Sequence, residues 1–334
     1  MPANGLDRHT IREIRVTPVE TYFGSPGNGR IVGRNSKSEN YGINQREWLL
    51  QVTTDSGLTG LSNARPAMNR GPLSALHDVL KDLIGRELSD FFTVSGGRVT
   101  GVSPRWSDLI DRHGFIDVAL FDLIGQALGQ PSHTLLGDRV RDEIEGYDST
   151  LYFQDLVNPT EGAGAVAREA AEAIEKGWRA VKLKLGRPGK WFEPSAGTRR
   201  DIEVVEAVRA RVGDDIKILI DANNGYDDRL DLLEDFIRGI RDLDVYWMEE
   251  MITEEIAGYR KLREWRDRDT PQTMIVDGEG DRGRDTIYWQ LMEERLLDAI
   301  QPDMLHMGFW PFHVLARDIE ESGHPTLIAP HNYN

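Results

Sequence analysis

The 334-residue sequence contains no cysteine, which excludes disulfides, thiolate metal sites and cysteine nucleophiles. No apolar run approaches the roughly 20 residues of a membrane span. The start, "MPANGLDRHTIREIRV", also lacks the apolar stretch of a signal peptide. Basic charge is in deficit, with 40 Lys and Arg against 56 Asp and Glu and a formal charge of −16. Nucleic acid and anionic membranes are therefore poor partners. What is present, 39% hydrophobic and 29% charged residues, suits a soluble chain of one large or two ordinary domains. A cytoplasmic enzyme is the expectation.

Residues 12–62 read as antiparallel strands. "IREIRVTPVETYF" and "REWLLQVTTDSGLTGLSNA" are rich in Val, Thr and aromatics, and "DSG" supplies a hairpin turn. Between them "GSPGNGRIVGRNSKSENYG" is a long Gly/Ser/Asn-rich loop, a length typical of lids or disordered segments. Residues 73–137 read mostly as helix, so residues 1–140 form an α+β module.

From residue 141 to 334 a strand–helix rhythm takes over. The candidate strands are "IEGYDSTLYF", "AVKLKLG", "IKILIDANN", "VYWMEEM", "TMIVDGEG", "AIQPDMLHMG" and "PTLIAPHNYN". Amphipathic helices separate them, with apolar faces at Val166, Ala170, Ala173 and Ile174, at Ile202, Val205, Val208 and Val212, and at Leu233, Phe236, Ile237 and Ile240. This pattern implies an α/β fold with a parallel sheet covered by helices. Nearly every strand ends in a polar residue: Lys182 and Lys184, Asp221, Glu249, Glu279, Asp303 and His331. An open sheet concentrates chemistry at one switch point, whereas a (β/α) barrel collects it from many strand ends around one mouth. The barrel is the expected fold.

In "AVKLKLG", Lys182 and Lys184 share one strand face and Val181, Leu183 and Leu185 the other. The cationic face is either half-solvated or aimed at something negative. Two ammoniums roughly 6.6 Å apart repel by about 2.5 kcal/mol at an effective dielectric near 20. That pushes a lysine toward usable basicity, while nearby carboxylates pull the other way. A single acid at a strand end is ordinarily a helix cap. Three from successive strands, Asp221, Glu249 and Glu279, opposite two lysines suit a hard divalent cation.

The ordered set "AVKLKLG", "LIDANNGYD", "YWMEEM", "DGEG", "QPDMLHMG" and "APHNYN" resembles the enolase superfamily, in its mandelate racemase-like branch. The front module also looks like that family's capping domain. The resemblance implies a TIM-type barrel over residues 141–334 and a capping domain over 1–140. It implies that Asp221, Glu249 and Glu279 bind Mg²⁺ and that Lys184 is a base on one substrate face. Lys182 would lie near the substrate carboxylate, and a His331–Asp303 dyad would work on the other face, with Asn223 beside the substrate. The implied reaction abstracts the proton α to a carboxylate through an enediolate. Sugar-acid dehydration comes first; racemisation of a 2-hydroxy acid and a catalytically impaired remnant are the alternatives. The implied partners are a small carboxylate substrate and further copies of the chain. Residues 23–42 and 62–72 would set selectivity.

The sequence departs from the family at Met251, where a proline usually follows the paired glutamates, and at Gly308, single where a glycine pair is common. The chain stops at Asn334, so an eighth strand and the returning C-terminal segment are expected to be missing. "GEGDRG" fits a dinucleotide motif, but Glu279 and Asp281 would place negative charge in the pyrophosphate cradle. "GRPGK" is too short for a P-loop. Tyr226 stands where a calcium loop needs glycine.

Overall fold

The computed structural model describes residues 5–22, 33–39, 44–71, 73–227, 229–280 and 283–331. Strands β1 (Ile11–Tyr22), β2 (Asn44–Thr54) and β3 (Thr59–Asn63) form the expected antiparallel sheet, with β2 in the centre. The "DSG" turn joins β2 to β3, closed by Thr54 N–H donating to the Leu58 carbonyl at 2.9 Å. Leu50 and Val52 point from β2 into a core whose buried members run from Leu6 to Leu135, with Phe309 and Trp310 packed against it. The helix Gly114–Leu128 crosses this sheet so closely that a Cβ on Gly60 would lie 2.2 Å from the Ala119 carbonyl.

One part of the helical reading of residues 73–137 is corrected. Phe92–Ser95 (β4) and Arg98–Val102 (β5) form a hairpin. Gly96 and Gly97, both at positive φ, make the turn, which the Gly-Gly pair could have signalled.

The remaining strands are β6 (Asp148–Leu151), β7 (Ala180–Lys184), β8 (Lys217–Asp221), β9 (Val245–Glu249), β10 (Met274–Asp277), β11 (Ala299–Ile300) and β12 (Leu327–Ile328). They lie in one parallel sheet in chain order. Helices Ala163–Glu175, Pro194–Val212, Leu230–Gly239, Ile256–Asp269, Ile287–Glu293 and Phe309–Ser322 fill the connections. Alternation sorts the side chains. Val181, Leu183, Ile218 and Ile220 pack against the helices, while Ala180, Leu219, Trp247, Val276 and Ala299 form a separate inner cluster with Tyr147 and Ala329.

That inner cluster requires curvature. In a flat sheet Tyr147, at the head of β6, and Gln301, at the end of β11, would be roughly 24 Å apart, five strand spacings. Instead the Tyr147 hydroxyl donates to Gln301 Oε1 at 3.0 Å, and the Tyr147 ring meets Trp247 edge-on at 5.2 Å. The sheet is curled as in a TIM-type barrel.

Candidate active site

The ends of β7, β8 and β9 place four charged side chains side by side. Lys184 is the register partner of Asp221, and Asp221 that of Glu249. Lys182 Nζ donates to both Glu249 oxygens, at 2.7 and 2.9 Å, and lies 3.5 Å from Asp221 Oδ2. Lys184 Nζ donates to the same Asp221 oxygen. Lys182 is 1% exposed, Lys184 9%, and both carboxylates are fully buried. The cationic face of β7 is thus aimed at negative charge rather than half-solvated. Burial pulls both ammoniums down, but the charges of Asp221 and Glu249 outweigh it and hold both lysines above their ordinary pKa. The balance expected from lysine–lysine repulsion is therefore reversed in this arrangement. Asp221, resisting burial through Lys184 and Lys182, is lowered to about 2.

Glu279 follows β10 by two residues. Burial raises its carboxyl, the charges of Glu249 and Asp221 push the same way, and His331 opposes them. Glu249 is likewise raised, first by burial. His331 Nε2 stands 3.2 Å from Glu279 Oε1, and its Nδ1 stands 3.3 Å from Asp303 Oδ2. A parallel bridge between Asp303 and His331 fixes this approach. Asp303 caps the short helix Met304–Met307 by accepting the N–H groups of Leu305 and His306. Burial raises its carboxyl, but bonds from His306 and His331 hold it well below the carboxylate range. His331 is lowered by burial yet raised overall by Asp303 and Glu279.

Asn223, at φ 43°, donates its N–H to Asp221 Oδ1 at 2.9 Å and its Nδ2 to Glu250 Oε2 at 2.8 Å. Its carbonyl accepts the Ser36 hydroxyl at 2.8 Å, so residues 33–39 close over this rim. All eight residues singled out from the sequence therefore belong to one connected neighbourhood.

Others there carried no local signal. Arg187, fully buried, forks onto Asp155 and reaches Asp201, behind the exit of β7. Those partners are 32 and 14 residues away in sequence. A second acidic group, Glu250, Glu254 and Asp277, brings one ligand atom from each within 4.8 Å of the others. Two of its members already accept hydroxyls, Asp277 from Tyr259 and Glu254 from Tyr288.

Residues 165–333, half of the chain, match the family model described as enolase C-terminal domain-like. The chain belongs to the enolase superfamily. Among its relatives, D-galactarolactone cycloisomerase of Agrobacterium fabrum is 28% identical over 267 residues, covering 78% of this chain and 64% of that protein. D-gluconate dehydratase of Thermoproteus tenax is 29% identical over 265 residues, 78% and 50% of the two chains. N-succinyl-L-Arg/Lys racemase of Bacillus cereus is 31% identical over 149 residues, 44% and 36%. The chain thus spans less than two thirds of the length of these relatives. A Geobacillus galacturonate dehydratase with bound D-galacturonate and 5-keto-4-deoxy-D-galacturonate superposes with a TM-score of 0.77 at 28% identity, over 98% of this chain and 80% of that one. A mutant of the same enzyme complexed with Mg gives 0.78 at 27% identity, over 98% and 79%.

Proposed function

We propose that this superfamily member abstracts the proton α to the carboxylate of a sugar acid and completes a dehydration. The single observation that carries the reading is that Lys184, from β7, bonds Asp221 while His331, beyond β12, contacts Glu279, and that the charge of Asp221 reaches the Glu279 carboxyl. Residues 1–140 would be the cap and 141–334 the catalytic barrel.

The donor set suits Mg²⁺. Asp221, Glu249 and Glu279 are hard oxygen donors, and the carboxyls of Glu249 and Glu279 are raised first by burial and further by neighbouring carboxylates, a cost that a bound cation would relieve. Bound by these three residues, Mg²⁺ would supply positive charge to the substrate carboxylate.

The residues of the chain divide the proton work. Lys182, the more deeply buried lysine, balances charge beside the substrate carboxylate. Lys184 serves as base through Nζ once the Asp221 charge that keeps it protonated is drawn away. His331, with Nδ1 turned to Asp303, works through Nε2 on the other flank. In dehydration one base takes the α-proton, the β-hydroxyl departs with a proton from His331 as water, and the enol product tautomerises to a 2-keto acid. Asn223 would orient substrate hydroxyls.

A sugar-acid library incubated with Mg²⁺ in D₂O tests this. A 2-keto product supports dehydration, whereas deuterium incorporation with an inverted centre means racemisation. Full turnover by Lys184→Ala would remove that residue from the base role.

A further inference from the structure

Asp303 is 1% exposed, and two histidines compete for it. Its Oδ1 accepts the N–H groups of Leu305 and His306, both at 2.9 Å. Its Oδ2 lies 3.3 Å from His331 Nδ1 and also 3.3 Å from His306 Nδ1. A charge-assisted N–H···O⁻ bond measures about 2.7–2.9 Å. Both imidazole contacts are longer: His331 Nδ1 is hydrogen-bonded to this oxygen, and His306 Nδ1 stands at ion-pair distance from it.

We propose that His306 is a positioning residue that divides Asp303 between two imidazoles and so restrains His331, without touching substrate. This deepens the function proposed above and rests on it. The two backbone N–H groups already orient Asp303, so His306 is not needed to aim the carboxylate. Its effect falls on how much acceptor strength is left for His331. Removing the second donor should tighten the dyad rather than loosen it. His306 also lines a cavity of about 120 Å³ with Pro66, Ala67, Gly71 and Leu76, which leaves room for a phenylalanine in its place.

The test compares wild type, H306F and H306N with Mg²⁺, using D- and L-tartrate as probes whose α-protons have opposite configuration. The enantiomer whose deuterium exchange H331N abolishes is the one served by His331. In H306F that exchange should rise by about fivefold, the rate equivalent of about 1 kcal/mol. The Lys184-served exchange should stay level, and H306N, which keeps a donor, should resemble wild type. A fall, no change, or an equal change for both enantiomers overturns the proposal. If wild type exchanges neither enantiomer, tartrate is not turned over, and the proton-abstraction reading is judged separately by the sugar-acid library. His306 is then judged by NMR of the His331 Nδ1 proton: a downfield move in H306F supports the restraint, and an unmoved resonance overturns it.

Discussion

At the scale of single residues, the proposed function sets the ammoniums of Lys182 and Lys184 against a cation for the same carboxylates. Truncating one partner of a buried ion pair costs about 3–5 kcal/mol, because it leaves the other charge stranded. Lys182→Met should therefore lower the melting temperature sharply without Mg²⁺, and added Mg²⁺ should recover much of the loss. A deficit indifferent to Mg²⁺ would mean that Glu249 and Asp221 hold no metal. The second acidic group permits a sharper comparison. Asp221→Asn should abolish the Mg²⁺-induced rise in melting temperature, whereas Asp277→Asn should leave it. The reverse result would move the metal site to Glu250, Glu254 and Asp277. The K-x-K face and the ordered strand-end acids were legible because a period of two and one residue per strand are local patterns. The sign of the lysine shifts was not, since it depends on how closely two carboxylates from other strands approach. The Tyr147–Gln301 bond, spanning 154 residues, was equally out of reach.

At the scale of elements, the joint between the cap and the barrel turns on one buried acid. Asp117, on the helix Gly114–Leu128, is fully buried and accepts the Trp310 N–H at 3.0 Å, capping the helix Phe309–Ser322. Burial pushes its carboxyl up to about 7, against the pull of the Trp310 and Phe309 N–H groups. Between about pH 4 and about pH 7 the folded protein keeps a proton that the unfolded chain has released. Stability from this group is therefore complete at low pH and falls as pH rises, by about 4 kcal/mol over about three units. Urea melts at about pH 5 and about pH 8 should show about 2.7 kcal/mol of that loss in wild type, from the roughly two units between pH 5 and pH 7, and a flatter response in Asp117→Asn. Beside it, a Cβ on Gly114 would stand 2.3 Å from the Gly308 nitrogen. Gly114→Ala should cost about 3 kcal/mol or more, since backbone rather than a pliable side chain must yield. The strands and helices of the barrel were legible from periodicity, and the register-setting close approaches were not, because a glycine in sequence does not name its neighbour.

At the scale of the whole molecule, the long loop whose length suits a lid or a disordered segment reaches the site through its described part. Residues 23–32 and 40–43 lie outside the described residues. Trp191 Nε1 donates to the Asn35 carbonyl at 2.9 Å, the Arg34 guanidinium stands 5.2 Å from the Trp191 ring, and Lys190 Nζ donates to the Lys37 carbonyl at 2.7 Å. Ser36 then reaches Asn223, one residue beyond Asp221 and Ala222 on the β8 exit. Residues 34–37 therefore seat on the loop after β7 and meet the mouth after β8. Trp191→Ala removes this seat without touching any residue assigned to proton transfer. Its KM should rise by about tenfold, equivalent to about 1.4 kcal/mol of lost binding, with kcat and the barrel's melting changed much less. If KM stays put while kcat falls, the segment 33–39 acts on the chemistry rather than on closure, and the lid reading of this loop is wrong.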